Sequence, residues 1–118
     1  MATWEDVRAA AAALPGTEEG TSWRQPSFRV AGKWFVGMSA HEDGAVVVRC
    51  DPDERPLLLE ADPQAYYLTA HYEPGGRWLL VRLEDVAPDD LRERVLDSWL
   101  LVAPKRLRAR WEAEQLAE

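Results

Sequence analysis

The spacing of hydrophobic residues changes along the chain between a helical period and a strand-like alternation, and these changes predict the order of the elements. Trp4, Val7 and Ala11 recur at helical spacing near the start, and Pro15 ends that helix. A polar loop is predicted from Thr17 to Gln25. The later predicted strands are 26–30, 33–38, 45–50, 66–72 and 78–83, and the later predicted helices are 53–60, 88–102 and 105–118. The chain is therefore predicted to be α+β, with an antiparallel sheet of about five strands.

Length and composition favour one domain, residues 1–118. Of the 118 residues, 47% are hydrophobic, which is enough for one core, and the chain is too short for a second domain. No stretch reaches the roughly 18 consecutive apolar residues of a membrane span, and the acidic start, with Glu5 and Asp6, is unlike a signal peptide. The single cysteine, Cys50, cannot form an internal disulfide and is expected to be a small buried residue. We therefore expect a cytoplasmic protein with no membrane partner.

Basic residues are concentrated in two segments of an acidic chain. The net charge of −7 argues against a protein coated in positive charge for gripping nucleic acid. However, the segment Arg24 to Arg49 contains four basic residues against two acidic ones, and Ser98 to Trp111 contains four against none. The rest of the chain holds 6 basic and 19 acidic residues. If the two segments meet in space, a basic patch lies on an acidic body.

Several segments resemble one known family, in the same order and over nearly the whole chain. They are LPGTEEGTSW at 14–23, PSFRV at 26–30, GK at 32–33, RCDP at 49–52, HY at 71–72, WLLVRL at 78–83 and WLLVAPKRL at 99–107. These segments are similar to the MmcQ/YjbR family, and Arg24 is a departure, because a small residue is more usual at that position. The resemblance implies a frataxin-like (CyaY-like) α+β fold, in which an antiparallel sheet has helices packed on one face.

The resemblance also implies a function, because this family is described as DNA-binding, with two projecting hairpin wings. Such a protein uses basic side chains for phosphates and exposed aromatic rings for bases or sugars. Five of the six tryptophans fit helical stripes or strand faces and are expected in the core. Trp23 lies in the polar loop, where it either plugs the sheet edge or contacts a ligand. The candidate DNA-contacting residues are Trp23, Arg24, Arg29, Lys33, Arg49, Lys105, Arg106 and Arg108.

A second hypothesis is a module that binds a protein or a small molecule in a groove. His71 lies beside Tyr72 near a Pro-Gly-Gly turn, so it is either a hydrogen-bonded structural residue or a binding residue. The candidate groove residues are Trp23, Phe28, Lys33, His71, Tyr72 and Lys105.

An enzyme is the third hypothesis, and the sequence gives it the least support. Cys50 falls in a predicted core strand and His41 in a hairpin loop, so no pair of nucleophile and base is evident. The two histidines and the one cysteine show no paired ligand spacing, so no metal site is predicted. Gly75 and Gly76 are not followed by the lysine and serine of a phosphate-binding loop. We therefore expect no cofactor.

Overall fold

The computed structural model describes residues 1–117, which form four helices and six strands. The helices are α1 (Trp4–Ala12), α2 (Arg55–Ala61), α3 (Pro88–Val102) and α4 (Lys105–Leu116). The strands are β1 (Thr17–Ser22), β2 (Gln25–Val30), β3 (Lys33–Met38), β4 (Ala45–Arg49), β5 (Tyr66–Tyr67) and β6 (Trp78–Arg82). The predicted α+β class is confirmed. None of the helices in this range is long and apolar enough to cross a lipid bilayer.

All six strands form one antiparallel sheet, in the order β1-β2-β3-β4-β6-β5. The first three strands are joined by two-residue turns, Trp23-Arg24 and Ala31-Gly32, and all four turn residues have positive φ. Positive φ at both central residues is the requirement of a type I′ hairpin turn. Because each turn reverses the chain sharply, the two turns lie at opposite ends of β2.

The hydrophobic core fills the space between one face of the sheet and the helices. α1 packs on α3, and α3 also packs on β3 and β4. Phe28, Val36 and Val48 join this core from the sheet, and Trp99, with no exposed surface, is its largest fully buried side chain. The helices therefore lie on one face of the sheet, as predicted. We refer to the other face as the open face.

Ser98 ties α3 to the sheet at the point where the β3–β4 ladder stops. The last residue pair of that ladder is Val36 with Val48. One residue further along, the Ser98 hydroxyl donates to the Phe35 carbonyl oxygen and accepts a 2.9 Å hydrogen bond from the Arg49 N–H. A helix side chain thus satisfies two buried backbone groups that the ladder leaves unpaired. The backbone of Arg49 is therefore held by α3 as well as by β6.

The loop predicted at 17–25 is wrong, because residues Thr17–Ser22 form the edge strand β1. This strand pairs residue by residue with β2, and Glu19 accepts a 2.8 Å hydrogen bond from Arg8 of α1. None of its residues is buried, so hydrophobic alternation gives no sign of it in the sequence. Its presence raises the sheet from about five predicted strands to six.

The strand predicted at 66–72 is shorter than expected and ends at Tyr67. The residues that follow turn back across the β4–β6 half of the open face, where Leu68 and Tyr72 pack against Val47. The Tyr72 hydroxyl oxygen lies 2.8 Å from the hydroxyl oxygen of Ser39. The open face is thus covered by the chain itself on one half, and its β1–β3 half has no such cover in the described residues.

Helix α2 also differs from its prediction. It begins at Arg55 rather than at residue 53, because the side chain of Asp51 accepts a 2.8 Å hydrogen bond from the Asp53 N–H and holds a turn before the helix. Leu57 is 66% exposed. Leu58 packs against the core.

Candidate nucleic-acid interface

One end of the open face carries a row of charged and aromatic residues that crosses five strands. Strand register places Arg29 opposite both Glu18 and Trp34. It likewise places Arg49 opposite Trp78. The group of three and the pair are joined by a 2.8 Å hydrogen bond, which Arg49 Nε donates to the Trp34 carbonyl oxygen. We refer to these five residues as the open-face row.

Arg49 interacts with both tryptophans of the row. Its guanidinium carbon lies 4.9 Å from the Trp78 ring centroid, and that ring meets Trp34 edge-on with centroids 5.5 Å apart. A cation over the face of a tryptophan is attracted by the negative potential of the ring. Burial lowers the pKa of Arg49, and the nearby positive charge of Arg77 lowers it further. Two cations therefore lie close together here, and an anion beside them would relieve their repulsion.

The same end of the domain collects basic residues from other elements. Lys33 follows the β2–β3 turn, and Arg77 directly precedes β6. Helix α4 begins here as well, because Leu107 in its first turn packs against Gly16, which directly precedes β1. The first residue of β1 is paired with the last residue of β2. We refer to the following residues as the basic end: Arg29, Lys33, Arg49, Arg77, Lys105, Arg106 and Arg108.

The cations of the basic end form no ion pair among residues 1–117. The ion pairs in that range are formed by Arg8, Arg92, Arg94 and Arg110, which all lie on helices. Each of these arginines has an Asp or Glu side chain beside it that balances its charge. The basic-end cations form no such ion pairs, and their charges are available to an external anion. Glu18, which lies opposite Arg29 in the strand register, is the one carboxylate of the open-face row.

Two of the predicted contact residues lie away from the basic end. Trp23 and Arg24 form the β1–β2 turn, whereas Lys33 follows the turn at the opposite end of β2. At about 3.3 Å per residue, the length of β2 separates the two turns by roughly 17 Å. Trp23 is 86% exposed and so does not plug the sheet edge. Both turn residues have positive φ, which is strained for side chains other than glycine.

The structure does not bring together the residues of the alternative ligand groove. Phe28 is 3% exposed on the helical face and stacks on Trp4 with ring centroids 5.7 Å apart, so it cannot line a surface groove. His71 stacks on His41 of the β3–β4 loop, with ring centroids 3.9 Å apart. That loop lies at the end of the sheet opposite Lys33. The predicted groove set is therefore divided between the core and both ends of the sheet.

Comparison with known proteins identifies the family. The family model described as YjbR matches residues 12–101, which is more than half of the chain. The chain belongs to the YjbR family. The resemblance drawn from the sequence is thereby confirmed, and the likeness to frataxin remains a prediction.

Relatives of this YjbR chain are known by sequence and by structure. Two proteins named as uncharacterised, Rv2570 of Mycobacterium tuberculosis and Mb2600 of Mycobacterium bovis, are each 32% identical to it over 122 residues. Each alignment covers 91% of this chain and 93% of the relative. The crystal structure of Deinococcus radiodurans protein DR2400, with the family-model domain DUF419, matches with a TM-score of 0.75 at 24% identity, covering 93% of this chain and 88% of that one. This structural likeness shows the fold, and the function depends on the site.

The single cysteine of this YjbR domain is poorly suited to act as a nucleophile. Cys50 is 8% exposed, as the sequence predicts, and burial raises the pKa of its thiol to about 11. Because the thiolate is the reactive form, Cys50 is almost entirely in its unreactive thiol form near neutral pH.

We expect iodoacetamide to modify Cys50 roughly 100-fold more slowly in the folded YjbR domain than in the unfolded chain at pH 8, since an unperturbed thiol has a pKa of about 8.5. Intact-protein mass spectrometry with and without urea measures both rates, and glutathione in the same buffers corrects for the effect of urea on the reagent. Similar corrected rates would show that the thiol is accessible and ionised in the folded protein.

Trp34, Trp78 and Arg77 are the YjbR-site residues that sequence reasoning missed. Hydrophobicity assigns both tryptophans to the core, but they lie half-buried on the open face. Arg77 was missed because the sequence does not reveal that β6 pairs with β4, which brings Arg77 close to Arg49. A usable sign was present in the pairs Lys33-Trp34 and Arg77-Trp78, where a basic residue precedes a tryptophan at the start of a strand.

Proposed function

We propose that this YjbR-family domain is a cytoplasmic DNA-binding protein, without catalytic activity, that uses its basic end and the adjoining open-face row. The basic-end cations hold phosphates, and the exposed edges of Trp34 and Trp78 contact bases or sugars. The observation that carries the proposal is the collection of seven basic side chains at one end of the domain that form no ion pair in the described residues.

The acidic residues elsewhere on the molecule restrict the orientation in which it can bind DNA. The net charge of −7 makes most of the surface repel a phosphate backbone. Approach is favourable only when the basic end faces the DNA. Because few cations contact phosphates, the affinity is modest and falls steeply as salt is added.

Helix α4 places the positive end of its dipole at the same end of the domain, on the helical side of the sheet. Its N-cap residue is Pro104, and no side chain caps the first backbone N–H groups of the helix. Uncapped N–H groups at a helix start are suited to donate hydrogen bonds to a phosphate oxygen. Lys105 and Arg106 lie in this first turn and attract the same anion.

The proposal is tested by fluorescence anisotropy of a short labelled DNA duplex across a salt series. With about four phosphates held by the sheet and turn cations, the logarithm of the association constant should fall with the logarithm of salt with a slope of about −3.6. The affinity should then drop on the order of 100-fold between about 50 mM and 200 mM salt. No detectable binding of the duplex or of a DNA single strand at the lowest salt would contradict the proposal.

A matched pair of variants tests where the DNA binds. Arg29→Ala, at the basic end of β2, should reduce the salt slope by about 1. Arg24→Ala, at the turn beyond the other end of β2, removes the same charge and should leave the slope unchanged. Equal effects of the two substitutions would show that overall charge, rather than the basic end, determines binding.

A further inference from the structure

A row of three small residues crosses the first three strands beside the open-face row. Strand register places Ser27 opposite both Gly20 and Gly37. Glycine weakens the interior of a strand, and it often marks a place where another group approaches the backbone closely. We refer to Gly20, Ser27 and Gly37 as the trough.

The indole of Trp34 lies over one end of the trough. A Cβ atom added at Gly37 would lie 2.9 Å from Trp34 Nε1 and 3.1 Å from its Cζ2, so a flat ring already occupies the space that a side chain would need. A Cβ atom added at Gly20 would have no neighbour within 4 Å among the described residues. The Trp34 ring accounts for a glycine at position 37, because a side chain there would clash with it. No neighbour in the described residues requires a glycine at position 20. The trough therefore holds a flat ring at one end and is open at the other.

Ser27 lies between these two ends, and its hydroxyl has no hydrogen-bond partner among residues 1–117. The residue is 1% exposed, and its Oγ atom is buried. Its Cβ lies 2.9 Å from the position of a Cβ on Gly37, which places the side chain next to the indole of Trp34. A buried hydroxyl without a partner is unfavourable. This atom therefore points to a ligand that supplies a hydrogen-bond donor or acceptor.

We propose that the trough binds one unstacked base of a DNA single strand. The Trp34 indole turns away from the Ser27 side chain, and the base enters edge-on above Gly20. One edge group of the base then pairs with the exposed Ser27 hydroxyl, and the indole stacks on the face of the base. The phosphate next to this base reaches Arg29, which is two residues beyond Ser27 on the same face of β2. This inference rests on the proposed function. It adds that the bound DNA is single-stranded and that the protein binds a base as well as the phosphates.

The test compares two labelled strands of equal length, an oligothymidylate and an abasic oligonucleotide that keeps the phosphates and lacks the bases. By anisotropy at low salt, the protein should bind the oligothymidylate about tenfold more tightly than the abasic strand. Equal affinity for the two strands overturns the inference and leaves the phosphate contacts of the proposed function intact. Absence of binding to both strands and to the duplex overturns the proposed function as well.

A variant that fills the trough sharpens this test. Gly20→Val places a side chain in open space at a backbone conformation that valine adopts readily, so the strand should remain folded. This variant should bind the two strands with equal affinity while its affinity for the abasic strand stays that of the unmodified protein. Thr21→Val, the neighbouring position on the other face of β1, is the control and should keep the tenfold preference. A tenfold preference that survives Gly20→Val overturns the inference.

Removal of the unpartnered hydroxyl gives an independent measurement. Ser27→Ala should weaken oligothymidylate binding about fivefold and leave abasic-strand binding unchanged, because only the base pairs with the hydroxyl. The thermal midpoint should not fall, since the hydroxyl makes no hydrogen bond within the described residues. An unchanged affinity for oligothymidylate in this variant excludes Ser27 as the partner of the base and overturns the inference as stated.

Discussion

Replacing Arg29, Lys33 and Arg77 together with alanine should weaken DNA binding about 100-fold or more at low salt and reduce the salt slope from about −3.6 to about −1. Each cation that no longer contacts a phosphate reduces the magnitude of the salt slope by about 0.9, because one fewer phosphate is neutralised and fewer counterions are released from the DNA. None of the three side chains forms an ion pair within residues 1–117. Arg49 is kept, since its hydrogen bond to the Trp34 carbonyl oxygen links strand β4 to strand β3. Anisotropy over the same salt series measures the effect.

A control variant with the same change in net charge isolates the effect of position. Arg24 lies in the turn at the opposite end of β2, and Arg8 and Arg92 lie on helices, where each is paired with a carboxylate. Replacing these three with alanine should change DNA affinity by no more than about twofold at 200 mM salt, where distant charges are largely screened. If both triple variants lose affinity to the same extent, the basic end is not the contact surface. Circular dichroism confirms that each variant is folded.

Replacing Trp99 with alanine should lower the free energy of unfolding by about 3–5 kcal/mol. Trp99, a residue of α3, has no exposed surface, belongs to the core and donates a 3.3 Å hydrogen bond from Nε1 to the Pro15 carbonyl oxygen. Its removal leaves a large cavity and an unpaired carbonyl at the end of α1. Because domains of this size are stable by about 5–15 kcal/mol, this loss is a large fraction of the total. Urea denaturation with linear extrapolation measures it.

Trp111 provides the comparison for this substitution. Its ring lies 6.4 Å from the ring of Trp99, but it is only half-buried on α4. Trp111→Ala should therefore cost clearly less, roughly 1–2 kcal/mol. If Trp99→Ala fails to fold, Trp99→Phe retains most of the buried area and gives a measurable loss of smaller size. A change below about 1 kcal/mol for Trp99→Ala would contradict its central place in the core.

The helices could be predicted from the sequence because their signals are local. Thr3 and Asp6 form the capping box that marks the start of α1, and Pro88 begins α3 where its ring fits the first helical turn. The edge strand β1 has no such signal. It depends on pairing with β2 and on the contact of Glu19 with Arg8, which are tertiary interactions that hydrophobic spacing does not record.

The candidate site could be predicted as a set of charges but not as a surface. The sequence named Arg29, Lys33 and Arg49 because they are grouped along the chain. It could not show that β6 lies next to β4, which brings Trp78 and Arg77 to the same end. It also could not place Trp23 at the opposite end of β2, because that placement follows from the strand β1 that the hydrophobic pattern missed.

The most direct test of the open face as the DNA-binding surface is an NMR titration of the indole N–H signals. The chain contains six tryptophans, with Trp34 and Trp78 on the open face, and Trp99 and Trp111 among the helices. Single Trp→Phe variants assign the signals. Addition of a short oligonucleotide at low salt should shift the signals of Trp34 and Trp78 and leave those of Trp99 and Trp111 in place. Shifts confined to Trp111 and its helical neighbours, or no shift at a saturating concentration, would contradict the open face as the binding surface.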